Sequence, residues 1–209
     1  MIELYCVPTA NGQKATILLE ESGLPYRAIH VVRAVGAPPP PSYLDISPMG
    51  KYPALVDRSP GLAHPVTVFG TLAIALYVCE RSQKMLPADL ESRASAWSWA
   101  SVVATDFSPM MGVQYFTTLR ARSDLSEATD YVEAEARRAL QAMERRLSEC
   151  DHLAGPAFSF ADALAYPLAV TSIQRLAGGL TPYPALARWR DRVGARPGVV
   201  AGMAAAQRS

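Results

Sequence analysis

Strand-forming patterns occupy only the first part of this 209-residue chain, and from about Leu90 every periodic segment is helical. This switch limits the fold more than any other feature, because it divides the chain into a mixed α/β unit and an all-helical one. In the first part "IELYCV" alternates and is rich in strand formers, and Pro8 closes it. After a short "TANG", the run Gln13 to Ser22 spaces Ala15, Ile17, Leu18 and Leu19 as a helix does, and Gly23 stops it. "YRAIHVV" reads as a second strand, which completes a βαβ unit. "AVGAPPPPS" is excluded as helix or central strand and reads as a surface loop of partly polyproline character. Two short strands follow, "ALV" and "VTVF", then a helix from Thr71 to about Ser82. "SQKMLPADL" has a proline and no periodicity, as a linker does. The expected division is an α/β unit over 1–82, a linker over 83–90 and an all-helical unit over 91–209.

Half of the residues are hydrophobic and the formal net charge is +1, so the chain lacks the electrostatic signature of a nucleic-acid or anionic-membrane binder. The expected partner is a small molecule. Cys6, Cys79 and Cys150 are odd in number and far apart, which suggests neither a disulfide framework nor a zinc site and points to an intracellular protein. His30, His64 and His152 stand singly, so no metal is expected. "MIELYC" carries an acid where a signal peptide would be basic, and no apolar run reaches membrane-spanning length. The expected location is the cytoplasm.

Three stretches bear on chemistry. In "VPTANGQK", Thr9 and Asn11 stand at a strand-to-helix turn, where they read either as an N-cap or as donors to a thiolate favoured by the helix dipole. In "GKYPAL", a cis Pro53 would turn its neighbour's backbone groups outward for a peptide to pair with, and the sequence leaves the isomer open. In "VTVFGTLAIALYV", a strand passes into a helix through Gly70 and Thr71, and a helix start reached in this way suits an anion. Cys6 lies inside the first strand, earlier than a reactive thiol at a helix start would, and is expected in the core. "FSFADALAYP" carries a near-relative of the capping box in Ser159 and Asp162, with Phe158 placed as a hydrophobic staple.

Taken together, "TANGQKATILLEESGLPYR", "YLDISPMGKYPALVD", "PVTVFGTLAIALYV", "SPMMGVQ" and "FSFADALAYP" resemble, in order and spacing, the glutathione transferase superfamily, and are most similar to its bacterial nu class. The resemblance covers essentially the whole chain. It implies a thioredoxin-like N-terminal domain, an all-α C-terminal domain with an electrophile pocket and dimer contacts, and a homodimer acting on glutathione and a small electrophile or disulfide. It assigns Thr9 and Asn11 to the glutathione sulfur, and Lys51, Tyr52, Pro53, Gly70 and Thr71 to the rest of that ligand. Phe107, Met111 and Tyr115 are the expected lining of the substrate pocket. The sequence also departs from the pattern. Gly70 stands where the family has a glutamate that pairs with the γ-glutamyl amino group, and Leu72 replaces a glycine. Near the start of the long helix, where the nu class has a ligand arginine, this chain reads Thr129, Asp130, Tyr131. The implied activity is thiol transfer or disulfide reduction, specialised for secondary metabolism. The alternative is a binding protein that kept the fold without catalysis or without glutathione.

Overall fold

A computed structural model describes residues 1–31 and 37–207 of the chain. They fall into two compact units, one of Met1–Leu86 together with the segment from Ala195 onward, the other of Pro87–Gly194. The first unit contains β1 (Ile2–Cys6), α1 (Ala10–Ser22), β2 (Tyr26–His30), α2 (Pro41–Leu44), β3 (Ala54–Asp57), β4 (Val66–Phe69) and α3 (Thr71–Ser82). The four strands form one sheet in the order β2-β1-β3-β4, with β1 parallel to β2 and antiparallel to β3, and β3 antiparallel to β4. Of the two inner strands, β1 turns Ile2, Leu4 and Cys6 alternately into the core, whereas in β3 Ala54, Leu55 and Val56 are all buried.

Local chemistry explains the boundaries. Helix α1 begins at Ala10, three residues earlier than its apolar spacing suggests, because the Thr9 hydroxyl caps it by accepting from Gly12 N–H. Gly23 ends it in the left-handed conformation, φ 72°, as expected. Pro41 and Ser42, read from sequence as loop, instead open the short α2, where a proline in the first turn costs no hydrogen bond. The "AVG" part of that loop lies outside the described residues.

The segment from Ala195 differs from the expected 91–209 unit, because its helix packs on α1. This segment belongs with the first unit by close backbone contact. A Cβ on Gly202 would come within 2.5 Å of Ile17 Cα, and Thr16 donates its hydroxyl to the Gly202 carbonyl at 2.7 Å. Arg196 grips Glu21 with two hydrogen bonds of 2.9 and 2.7 Å.

The second unit contains α4 (Leu90–Val102), α5 (Ser108–Leu119), α6 (Ser126–Glu149), α7 (Phe160–Arg175) and α8 (Pro184–Gly194); the Ala195 segment carries α9 (Pro197–Ala205). Between α4 and α5 the rod continues through a π turn, Val103–Phe107. Pro109 supplies the reason. It has no N–H for the Thr105 carbonyl and its ring crowds that group, so the backbone widens by one residue ahead of it. Helix α6 buries Val132, Ala136, Leu140, Met143 and Leu147, a single stripe at helical spacing, while Glu127, Arg138, Arg145 and Glu149 are exposed and Glu144 accepts from the Ala185 and Leu186 N–H groups at the start of α8. The start of α7 is closed by Asp162, which is fully buried and accepts from Leu153 N–H, Ser159 N–H, the Ser159 hydroxyl and the Trp189 indole.

Candidate functional site

Strand register gathers the candidate residues of the first unit. Tyr5 of β1 pairs with Ala54 of β3, and Ala54 pairs with Phe69 of β4. These three residues form one rung across the sheet, so the chain leaving β1, the chain entering β3 and the chain leaving β4 all emerge at the same end. Thr9 and Asn11, Lys51 to Pro53, and Gly70 with Thr71 therefore stand side by side, over about 10 Å for two strand spacings.

At the β1 exit, Gly12 is required. A Cβ there would overlap the Val7 carbonyl oxygen, so only glycine lets the first turn of α1 pass so close to the end of β1. Thr9 is exposed and Asn11 half-buried. In capping α1 the Thr9 oxygen accepts, and its own proton is still available to donate. Asn11 Oδ1 accepts from the Lys14 ammonium at 2.9 Å. Lys14 is fully buried, and loss of hydration brings it down to about 7. Sequence reading did not single out Lys14, although its i, i+3 relation to Asn11 was a signal for contact.

At the β3 entrance the Tyr52–Pro53 peptide is cis. The segment is held from α2 and the turn after it: the Tyr43 hydroxyl and the Ser47 hydroxyl both donate to the Lys51 carbonyl, at 3.0 and 2.9 Å. The Tyr43 ring stacks on Tyr52, centroids 4.3 Å apart, and meets Tyr5 at a tilt, centroids 5.9 Å apart. Burial, with Tyr52 beside it, pushes the Tyr43 phenol well above its ordinary range, so it remains a donor. Tyr43 and Ser47 are positioning residues that the sequence did not reveal. Lys51 itself is exposed and Pro53 buried.

At the β4 exit, Gly70 occupies the N-cap position of α3 at φ 86°, ψ 135°, without a side-chain cap. No acid lies in the first turn of α3 or of α1. A Cβ on Gly70 would meet nothing within 4 Å.

Cys6, as expected, is a core residue. It is fully buried, and burial pushes its thiol up to about 11, which leaves it protonated at neutral pH. The three residues expected to line a pocket are in the second unit and separate by burial. Phe107 and Met111 lie in the helical core, where Met111 accepts a hydrogen bond from Ser172 at 3.0 Å. Tyr115, 39% exposed, keeps a surface and has Arg175 over its ring at 6.0 Å. Among the described residues no cluster of His, Cys, Asp and Glu could hold a metal, and no helix is long and apolar enough to cross a membrane.

Comparison with known proteins gives one answer. Residues 10–81 match the glutathione S-transferase N-terminal domain and residues 104–197 the corresponding C-terminal domain. The chain is 34% identical over 198 residues to the disulfide-bond oxidoreductase YfcG of Escherichia coli, covering 94% of this chain and 92% of that one. A glutathione transferase family member from Pseudomonas fluorescens, solved with two glutathione bound, superposes with a TM-score of 0.88 at 29% identity, covering 97% of this chain and 92% of that one. A glutathione transferase from Burkholderia graminis, with two glutathione molecules bound per subunit, gives 0.91 at 28% identity, with 100% and 89% covered.

Proposed function

Since this chain belongs to the glutathione transferase family, with its thioredoxin-like first domain and helical second domain, we propose that it binds glutathione along the rung formed by Tyr5, Ala54 and Phe69 and uses it to reduce disulfides. The γ-glutamyl carboxylate is taken by Thr71 and the open start of α3, the cysteinyl backbone by Tyr52 ahead of Pro53, and a carboxylate by Lys51. Thr9 and Asn11 donate to the sulfur, which together with the α1 dipole favours the thiolate. The observation that carries this reading is the shared end of the sheet, where two helix starts without acids flank a segment anchored by Tyr43 and Ser47.

In the proposed reaction the bound thiolate attacks one sulfur of a disulfide. A mixed disulfide forms, and the other sulfur leaves as a thiolate that takes a proton from water. A second glutathione thiolate then attacks the glutathionyl sulfur, releasing the remaining thiol and glutathione disulfide. The disulfide-bond oxidoreductase YfcG and the relatives solved with two glutathione support this over attack on carbon. Of the three residues expected to line a substrate pocket, Tyr115 is the one that keeps an exposed surface. A homodimer is the proposed assembly, supported by the exposed apolar side chains Val113, Phe116 and Leu119 of α5.

Calorimetric titration with reduced and, separately, oxidised glutathione tests the reading. Micromolar binding of either, with turnover of a small organic disulfide, is expected. Absence of heat and of thermal stabilisation up to millimolar ligand overturns it. Gly70 removes one charge-assisted hydrogen bond to the ligand, which weakens glutathione about ten- to a hundredfold; if no binding is found, the protein serves another ligand or a non-catalytic role.

A further inference from the structure

Glutathione carries a carboxylate and an ammonium on one carbon of its γ-glutamyl arm, so a site for that arm meets two charges of opposite sign. At the sheet end marked by Tyr5, Ala54 and Phe69, the first unit answers only one of them. The start of α3 offers unpaired N–H groups and the Thr71 hydroxyl to an anion, and neither its first turn nor that of α1 contains an acid. The first unit has six acidic residues, and five lie toward its opposite end. Glu20 and Glu21 stand in the last turn of α1, where they accept from the Tyr26 hydroxyl and from Arg196. Glu80 is nine residues beyond Thr71, about 13 Å along α3. Asp57, at the far end of β3, is held by Tyr77 and Arg81, and Glu3, opposite Val56, by Arg27 and Arg58. The sixth, Asp45, ends α2 and is exposed, and a carboxylate in water contributes little to an ion pair.

We propose that the site selects a thiol whose carboxylate arm carries no ammonium, and that glutathione is the less favoured ligand of this class. The inference rests on the preceding reading, in which the γ-glutamyl carboxylate meets Thr71 and the start of α3. A carboxylate alone gains the full attraction of the helix end. An ammonium on the same carbon opposes that attraction, because it is a cation at a helix N-terminus, and it gives up part of its hydration with no carboxylate to replace it.

The test is calorimetric titration of the full-length protein with reduced glutathione and with glutaryl-cysteinylglycine, the same tripeptide with hydrogen in place of the γ-glutamyl amino group. The analogue is expected to bind about fivefold tighter. It should show the same advantage in kcat/KM as the thiol for disulfide reduction, with kcat little changed, since the sulfur and its neighbours are the same in both. Gly70→Glu should reverse the order and make glutathione about tenfold tighter than the analogue, because the ammonium gains a partner and the bare carboxylate arm meets a like charge. The wild-type comparison holds whether or not the glutamate variant folds. Glutathione that binds the wild type more tightly than the analogue, or within twofold of it, overturns the proposal and leaves the reading of the site intact. Loss of such a preference in Asp45→Asn would then identify Asp45 as the acid that meets the ammonium. Absence of binding by both tripeptides, in the wild type and in Gly70→Glu alike, overturns the underlying reading as well.

Discussion

Two helices of this molecule begin in opposite ways. At the start of α7 the chain supplies its own carboxylate, and Asp162 gathers two backbone N–H groups, a hydroxyl and an indole while wholly removed from water. At the start of α3 the chain supplies no acid and no capping side chain, and the space beside Gly70 is open. Both starts carry the same unpaired N–H groups and the same partial positive charge. The first has spent them on holding the fold; the second leaves them for an anion from outside. Helix α3 repeats the contrast within itself, since near its other end Tyr77 and Arg81 close on the buried Asp57 at 2.8 and 3.4 Å.

The comparison breaks most easily at Asp162. Asp162→Ala should leave the Trp189 indole and the Leu153 N–H buried without an acceptor and cost about 4 kcal/mol in urea unfolding. A loss under about 1 kcal/mol would show that the closed start is not what holds α7. The next largest effect is expected where the open start is given an acid. Gly70→Glu should tighten reduced glutathione by about ten- to a hundredfold in calorimetry. Because φ at this position is 86°, the same change should cost about 1 kcal/mol or more of stability, and Gly70→Ala should show that cost without the gain in affinity. Equal affinity in the glutamate and alanine variants would argue against an amino group beside position 70.

Most of this architecture was legible in the sequence, and what was not has physical causes. The βαβ unit, "VTVF", the α3 limits and the Ser159–Asp162 box could be read because period, stop residue and capping chemistry agree there. Periodicity records that a face is buried but not against which unit, so α9 could not be assigned to α1. Gly198 and Gly202, which read as weak helix formers, are where α9 approaches Glu21 and Ile17 most closely. Lys14 looks like a solvated residue until the fold encloses it. Phe107 and Met111 are four apart on one face with Tyr115, and spacing alone does not say that the first two turn inward while the third stays at the surface. The rung that brings the three loops together depends on strand register, which no local motif announces.

Two smaller changes sharpen the contrast along α3. Burial pushes the Asp57 carboxyl up, but hydrogen bonds from Ser59 and Tyr77 and the Arg81 charge outweigh it and hold it below the usual carboxylate range. A folded value below the unfolded one of about 3.9 means that Asp57 contributes stability fully above that pH and loses it as pH falls through the folded value. Asp57→Asn should cost about 1.5 kcal/mol at neutral pH, and the difference from wild type should shrink in unfolding measured below pH 4. At the open end the expected pattern is the reverse. The Thr71 hydroxyl makes no hydrogen bond among the described residues, so Thr71→Val, which keeps the branched shape, should leave stability within about 0.5 kcal/mol of wild type. It should weaken glutathione by roughly fivefold, about 1 kcal/mol, because the ligand carboxylate loses one donor and keeps the backbone N–H groups. A loss of stability without a loss of affinity would place Thr71 with Asp57 among the groups that hold the fold, and the difference between the two ends of α3 would disappear.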